Sequence, residues 1–142
     1  MENGLNKDEL KKFLDEKYQE YNNINFIEDD PIQIPHLFTN EKDIEIAGFL
    51  TSIISWGNRK SIINSGKKMM NLMDYSPYDF IINSNDSEIK KLNFIHRTFN
   101  STDLQFFIMS LKNIYIKYGN LEDLFLEDKS NFMFHGITKF RE

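Results

Sequence analysis

The residues best suited to chemistry in this sequence of 142 residues lie in a short polar turn, residues 55–60 (SWGNRK). Trp56 is the only tryptophan, and the Gly-Asn pair after it predicts a tight change of direction. Arg59 and Lys60 follow at the start of a helical pattern, where free backbone amides and a guanidinium can bind phosphate. The alternative is that Trp56 fills the core and Arg59 is only solvated.

The histidines offer a second set of candidates. They stand at positions 36, 96 and 135, without the His-x-x-x-His spacing of a helical zinc site. His96 and Arg97 interrupt an apolar link, so an anion contact is one hypothesis for them, and a structural hydrogen bond is the other. We expect no metal site.

The acidic run Glu28-Asp29-Asp30 would suit a divalent cation or a general base. No EF-hand spacing follows, however, and Pro31 favours a turn at this point. The sequence also contains no glycine-rich phosphate loop, no dinucleotide fingerprint and no signature of a serine or cysteine nucleophile. We therefore expect no cofactor, and no catalytic residue in this chain alone.

Two predicted helices position the polar turn. Residues 44–56 begin with an almost unbroken apolar run, which is typical of a helix covered by others on every side. Residues 59–73 place isoleucine and methionine on one side and Lys60, Lys67 and Lys68 on the other, which predicts an amphipathic surface helix. No strand alternation is present, so we predict an all-α fold: a single domain, 1–142, of six to eight helices around the buried central helix 44–56.

Start and stop signals bound the other elements. Asn6 and Glu9 predict a helix over 7–21, and the apolar residues of 22–38, broken by two prolines, predict an ordered, extended loop. Further start and stop signals are Asn40 with Asp43, Ser76-Pro77, Asp86, Ser101 or Thr102, and Gly119. A short helix over 121–126 and a last segment over 130–141 complete the prediction.

Charge is divided unevenly along the chain. The net charge is -5, yet residues 55–100 carry seven basic and four acidic residues, and residues 1–54 carry five and twelve. A basic segment that starts at the polar turn favours contact with a polyanion, although a solvated helix face is the plain alternative. No run is apolar enough to span a bilayer, no signal peptide is present and cysteine is absent, so we expect a soluble, cytoplasmic protein without a membrane partner.

Several stretches resemble an uncharacterised bacterial protein family. They are residues 26–31 (FIEDDP), 34–36 (IPH), 43–50 (DIEIAGFL), 55–63 (SWGNRKSII), 76–80 (SPYDF) and 96–99 (HRTF). The resemblance covers most of the chain and implies a longer protein, of which this chain would be the N-terminal part.

The same resemblance extends distantly to the helix-hairpin-helix DNA glycosylases, the endonuclease III superfamily. The central helix pair is similar to the early helices of that superfamily, in which the turn approaches DNA and offers a glutamine near an extruded base. If Asn64 sets the alignment, Gly57 stands in place of that glutamine. The catalytic lysine and aspartate of the superfamily would lie beyond Glu142.

Three hypotheses follow. The first is a nucleic-acid (DNA) binding domain, with the backbone contacted by Trp56, Asn58, Arg59, Lys60, Lys67 and Lys68. It requires that Arg59 and Lys60 stay clear of the acidic N-terminal third. The second is a non-catalytic module for protein interaction or self-association, in which the C-terminal apolar segment meets the missing half or another chain through Phe132, Phe134 or Phe140. The third is a metal-dependent hydrolase that uses residues 28–30 and His36.

Overall fold

The fold is all-α, as the sequence predicts. A computed structural model describes residues 6–126 and 137–138. The helices with described bounds are α1 (Lys7–Tyr21), α2 (Ile24–Glu28), α3 (Glu41–Ile53), α4 (Arg59–Leu72), α5 (Pro77–Asn83), α6 (Asp86–Ile89), α7 (Ser101–Tyr118) and α8 (Leu121–Leu126). Most of the predicted last segment, 130–141, lies outside the described residues. No helix in the described part has both the length and the hydropathy that crossing a bilayer demands.

α1 forms where the capping signals predict it. The side chain of Asn6 accepts hydrogen bonds from the first-turn amides, and Glu9 bonds back to the Asn6 amide, which completes a capping box. The helix buries none of its residues. Its apolar stripe therefore stays on the surface, joined to the next element by the edge-to-face contact of Tyr21 with Phe26.

The prediction of an extended loop over 22–38 is wrong. The segment instead forms α2 and two 3-10 turns, Pro31–Gln33 and Pro35–Leu37. Each proline stands at the first position of its turn, where a missing amide hydrogen costs nothing. Proline there starts a helical turn rather than holding the chain extended. Ile34, between the two turns, is fully buried.

α3 is the central helix of the core, but it spans Glu41–Ile53 rather than 44–56, and Ile44 is 39% exposed rather than covered. Asn40 caps it as predicted, and Ile46, Ala47 and Leu50 are fully buried, followed by Ile54 just after the helix. One hydrophobic cluster joins these residues to α4, α5 and α7. α4 is amphipathic as predicted, because Ile62, Gly66, Met69 and Met70 face that cluster. A Cβ on Gly66 would lie 2.9 Å from Ile34, so a glycine is needed where α4 crosses the 3-10 turns.

Two caps lie one residue earlier than predicted. Asn85, and not Asp86, caps α6, and Asn100, instead of Ser101 or Thr102, caps α7. In both cases the asparagine oxygen accepts bonds from the two amides that a cap must satisfy. The stop at Gly119 is confirmed by its left-handed φ of 87°.

A partly buried carboxylate of α3, that of Glu45, holds the start of α8. Glu45 accepts a short hydrogen bond from the Tyr115 hydroxyl, and bonds of 3.0 and 3.2 Å from the backbone amides of Leu121 and Glu122. Burial, with this hydrogen bond, raises the pKa of Tyr115 well above its ordinary value. Glu45 on α3 therefore caps a helix that lies more than seventy residues away along the chain.

Candidate nucleic-acid interface

The turn between α3 and α4 brings Trp56 to the surface. Gly57 has a φ of 101°, a conformation that other residues rarely adopt, and so reverses the chain directly after the indole. The side-chain oxygen of Asn58 then accepts the Ser61 amide and caps α4. Trp56 is 43% exposed. The alternative in which it fills the core is therefore wrong.

Arg97 covers one side of this indole. The guanidinium carbon lies 4.6 Å from the Trp56 ring centroid, within the range of a cation–π contact. A Cβ on Gly57 would lie 2.5 Å from the same carbon, so only glycine leaves room for the guanidinium. Arg97 itself has a φ of 55°, a costly conformation for a residue with a side chain. We call this contact the Trp56–Arg97 pair.

A hairpin turn positions Arg97. His96 and Phe99 exchange backbone hydrogen bonds of 2.8 and 2.9 Å, which leaves Arg97 and Thr98 at the tip. The His96 side chain lies beneath them, 3% exposed, with Nδ1 2.8 Å from the Ser65 hydroxyl of α4. Its ring also meets Trp56 edge to face, at 6.1 Å between centroids. The turn is thus anchored on both α4 and the indole.

The burial of His96 and its hydrogen bond to Ser65 fit the structural alternative. Burial, and secondly the charge of Arg97, hold its pKa below the ordinary value, so the ring is neutral at pH 7. Its Nε2 is buried and has no hydrogen-bond partner among the described residues. Of the two neighbours, Arg97 is the one exposed to a ligand.

Arg59 does not stay clear of the acidic N-terminal third. Its Nε lies 3.7 Å from the Asp30 carboxylate, and its guanidinium lies 5.9 Å from the Phe26 ring centroid. The pair is long and the Arg59 side chain remains 61% exposed, but part of its charge is compensated. Arg59 is therefore a weaker candidate for phosphate contact than the sequence suggests.

A groove of about 430 Å³ separates the two helices of the turn from the 3-10 turns. Pro31, Ile32 and Pro35 form its apolar wall, while Ser52 and Arg59 contribute polar groups opposite. Both serine hydroxyls of this wall, on Ser52 and Ser55, donate to backbone carbonyls of α3. Thr51 also lines the groove, and its buried hydroxyl has no hydrogen-bond partner among the described residues.

The lysines of α4 occupy its solvent face. Lys60 and Lys67 are seven residues apart, on the same side of the helix, and neither forms an ion pair with a described residue. Lys68 lies beside them with its ammonium 5.8 Å from the Phe94 ring centroid. Phe94 and Arg97 belong to one loop, so Lys68 connects the lysines of α4 to the Trp56–Arg97 pair. We call Lys60, Lys67, Lys68 and Arg97 the basic face.

Two segments without a single carboxylate meet at this face. Residues 46–73 contain four basic and no acidic residues, and residues 89–102 contain three basic and none acidic. The His96–Ser65 hydrogen bond and the Lys68–Phe94 contact hold the segments together. The sequence places the seven cations in two blocks, and the fold makes these blocks neighbours.

The acidic cluster 28–30 stabilises local structure through Asp30 and the Glu28 carbonyl. The Asp30 side chain accepts the Ile32 amide at 3.0 Å and pairs with Arg59, and the Glu28 carbonyl accepts a bond from Gln33. His36 is exposed on the second 3-10 turn. Within the described part of the chain, no group of three His, Asp or Glu side chains is placed to hold a metal ion.

Sequence reasoning locates the turn and the lysines but not the partners that organise them. The Trp56–Arg97 pair joins residues 41 positions apart. No sequence motif marks Ser65 or Phe94 as part of the site, although both contact it. One hint was available. A glycine directly after an isolated tryptophan indicates a place where another group approaches the backbone closely.

Comparison with known proteins gives one match. A family described as "Protein of unknown function (DUF2400)" matches residues 30–142, which is most of the chain. No curated protein and no solved structure matches it. α1 and α2 precede the matched region.

Proposed function

Because the chain belongs to the DUF2400 family, whose function is unknown, we propose a function from the site itself: a non-catalytic helical domain that binds DNA. In this proposal the basic face contacts the phosphate backbone. The observation that carries it is the meeting of the two segments without carboxylates. They hold seven cations, which leaves ten basic and all 22 acidic residues to the rest of the chain. Such a separation of charge draws a polyanion to one side of the molecule.

The first turn of α4 supports the same proposal. It contains Arg59 and Lys60 and no carboxylate, although the positive end of the helix dipole disfavours cations there. A bound phosphate would offset this repulsion. Since Arg59 pairs with Asp30, Lys60 is the residue of that turn best placed to meet one.

The spacing of the lysines suits a strand of nucleic acid. Seven helical residues separate Lys60 from Lys67, a rise of about 10.5 Å. In duplex DNA this equals about three steps of 3.4 Å along the helix axis. The two lysines can therefore meet different phosphates of the same strand, while Arg97 reaches the next part of the backbone.

The distant resemblance to the helix-hairpin-helix glycosylases is our reason for naming DNA. It also favours a non-catalytic role for this chain, because no residue here matches the catalytic lysine and aspartate of those enzymes. If Asn64 sets the alignment, Gly57 also replaces their glutamine. A cytoplasmic location belongs to the same proposal, since DNA is available there and a chain without cysteine suits a reducing compartment.

Fluorescence anisotropy with labelled 20-nucleotide DNA, single-stranded and duplex, tests the proposal at about 50 mM salt, where charge effects are large. We expect binding by the wild type and at least a tenfold loss in Lys60→Glu/Lys67→Glu. The matched control is Lys11→Glu/Lys12→Glu, which changes the charge equally but on α1, where both lysines already pair with carboxylates. Failure of the wild type to bind either DNA would refute the proposal.

Self-association is the second candidate function, and the surface of α1 favours it. Five large side chains of one stripe are between 44% and 60% exposed, namely Leu10, Phe13, Leu14, Tyr18 and Tyr21. The ion pairs of α1 leave this stripe largely uncharged, apart from Lys17, whose ammonium lies near the Phe13 and Tyr21 rings. A patch of this kind is typical of an interface.

Sedimentation equilibrium distinguishes the two candidates. A dimer of the wild type that becomes a monomer in Phe13→Glu/Leu14→Lys would support association through α1, and a wild-type monomer at high concentration would contradict it. Lys12→Glu, on the opposite side of α1, is the control. The contacts predicted for Phe132, Phe134 and Phe140 lie outside the described residues.

A further inference from the structure

We infer that the Trp56–Arg97 pair is a stacking platform for an unpaired nucleobase, so that the basic face prefers single-stranded over duplex DNA. This inference rests on the proposed function and names the class of nucleic acid that the same site takes. The inference comes from the contact between the indole and the guanidinium. Binding of the phosphate backbone alone would not require this contact.

The platform is exposed where a base would have to reach it. Trp56 is 43% exposed although it is large and apolar, and Arg97 is exposed beside it. Arg97 makes no ion pair with a described residue, so its charge is available while its guanidinium lies against the indole. A guanidinium resting on an indole extends the planar surface, and nucleobases stack on both groups.

The platform is also rigid. His96 supports the indole from its edge and is itself bonded to Ser65, while the backbone bonds to Phe99 close the turn. Gly57 and Arg97 both hold left-handed backbone conformations to bring the guanidinium over the ring. A surface that is ordered before binding loses little entropy when a base stacks on it.

The chemistry favours unpaired bases. In a duplex the faces of the bases are covered by their neighbours, and only the phosphates and the groove edges are accessible. A stacking surface therefore adds affinity for single strands alone, whereas the lysines of α4 attract both forms. Stacking tolerates every base, so we expect little dependence on sequence.

The test uses the fluorescence of the protein itself. Since Trp56 is the only tryptophan, quenching of indole emission reports on this position alone. The probes are a 15-nucleotide thymidine strand and a 15-base-pair mixed duplex, at about 50 mM salt. We expect the single strand to quench the emission and to bind more tightly than the duplex. For Trp56→Leu and Trp56→Phe, which lack the indole, binding is measured by the anisotropy of labelled DNA. Trp56→Leu should weaken single-strand binding roughly 10- to 100-fold, with little effect on the duplex. Trp56→Phe should retain most of the preference.

Arg97→Lys distinguishes a loss of base stacking from a general disturbance of the site. It keeps the charge, and therefore the salt dependence, but removes the planar group, so the preference for single strands should fall while duplex binding persists. Equal binding of both DNAs without quenching, or an equal loss of both in Trp56→Leu, would overturn the inference and leave the basic face standing. Absence of binding to either DNA would overturn the proposed function as well.

Discussion

Neutralising two lysines of α4, in Lys60→Gln/Lys67→Gln, tests the basic face through the salt dependence of binding. Each phosphate that a cation neutralises releases a condensed counterion, so the logarithm of the binding constant falls linearly with the logarithm of the salt concentration. Both lysines are exposed and free of ion pairs with described residues, so the core of α4 is unaffected by the change. The slope then counts the contacts directly.

The structure gives the expected slopes. The basic face has four cations, and each contributes about -0.7 on a single strand, so the wild-type slope is about -2.8. Affinity should therefore fall about 50-fold between 50 and 200 mM salt, and the double variant, with two contacts left, should fall only about 7-fold. Arg59 is left out because it pairs with Asp30. If DNA displaced Asp30, the wild-type slope would be about -3.5 instead.

Anisotropy titrations at four salt concentrations measure these slopes. Lys11→Gln/Lys12→Gln is the control, and it should keep the wild-type slope because those lysines already pair with Asp15 and Glu16. A wild-type slope near zero would refute the reasoning. So would an unchanged slope in Lys60→Gln/Lys67→Gln, or a slope reduced equally by the control.

Three further predictions concern the groups that hold the site in place. Glu45→Ala should lower the free energy of unfolding in urea by about 2–4 kcal/mol, because the buried Tyr115 hydroxyl and the first amides of α8 lose their acceptor; the loss should shrink in a Tyr115→Phe background. Gly57→Ala should cost about 1–3 kcal/mol and displace Arg97 from the indole, seen as altered tryptophan emission in the absence of DNA. The pKa of His96 is lowered in the folded state, so the unfolded chain binds its proton first as the pH falls. The free energy of unfolding should therefore decrease below about pH 6.5, by at most about 1.4 kcal/mol per pH unit. His96→Gln should flatten this dependence.

Local structure was predictable wherever a short-range signal acted alone. Three helix ends lie where the sequence predicts them, at Asn6 with Glu9, at Asn40 and at Gly119. A cap needs only the residues within one turn of it. The caps at Asn85 and Asn100 were missed by one position, since two neighbouring residues could each accept the same amides. The segment around Ile34, which composition alone had predicted as extended, forms 3-10 turns that start at Pro31 and Pro35.

The sequence by itself determined the helices outside residues 22–38, the apolar core of α3 and the two blocks of cations without carboxylates, because helical periodicity and charge are properties of neighbouring residues. Only the tertiary structure decided the rest of the site. It placed Arg97 over Trp56, His96 against Ser65 and Asp30 beside Arg59. These pairs join residues 29 to 41 positions apart, so they depend on which surfaces pack together around α3. Within the described part of the chain, packing therefore left Arg97 without an ion pair and placed Asp30 beside Arg59, a distinction that no local pattern in the sequence contains.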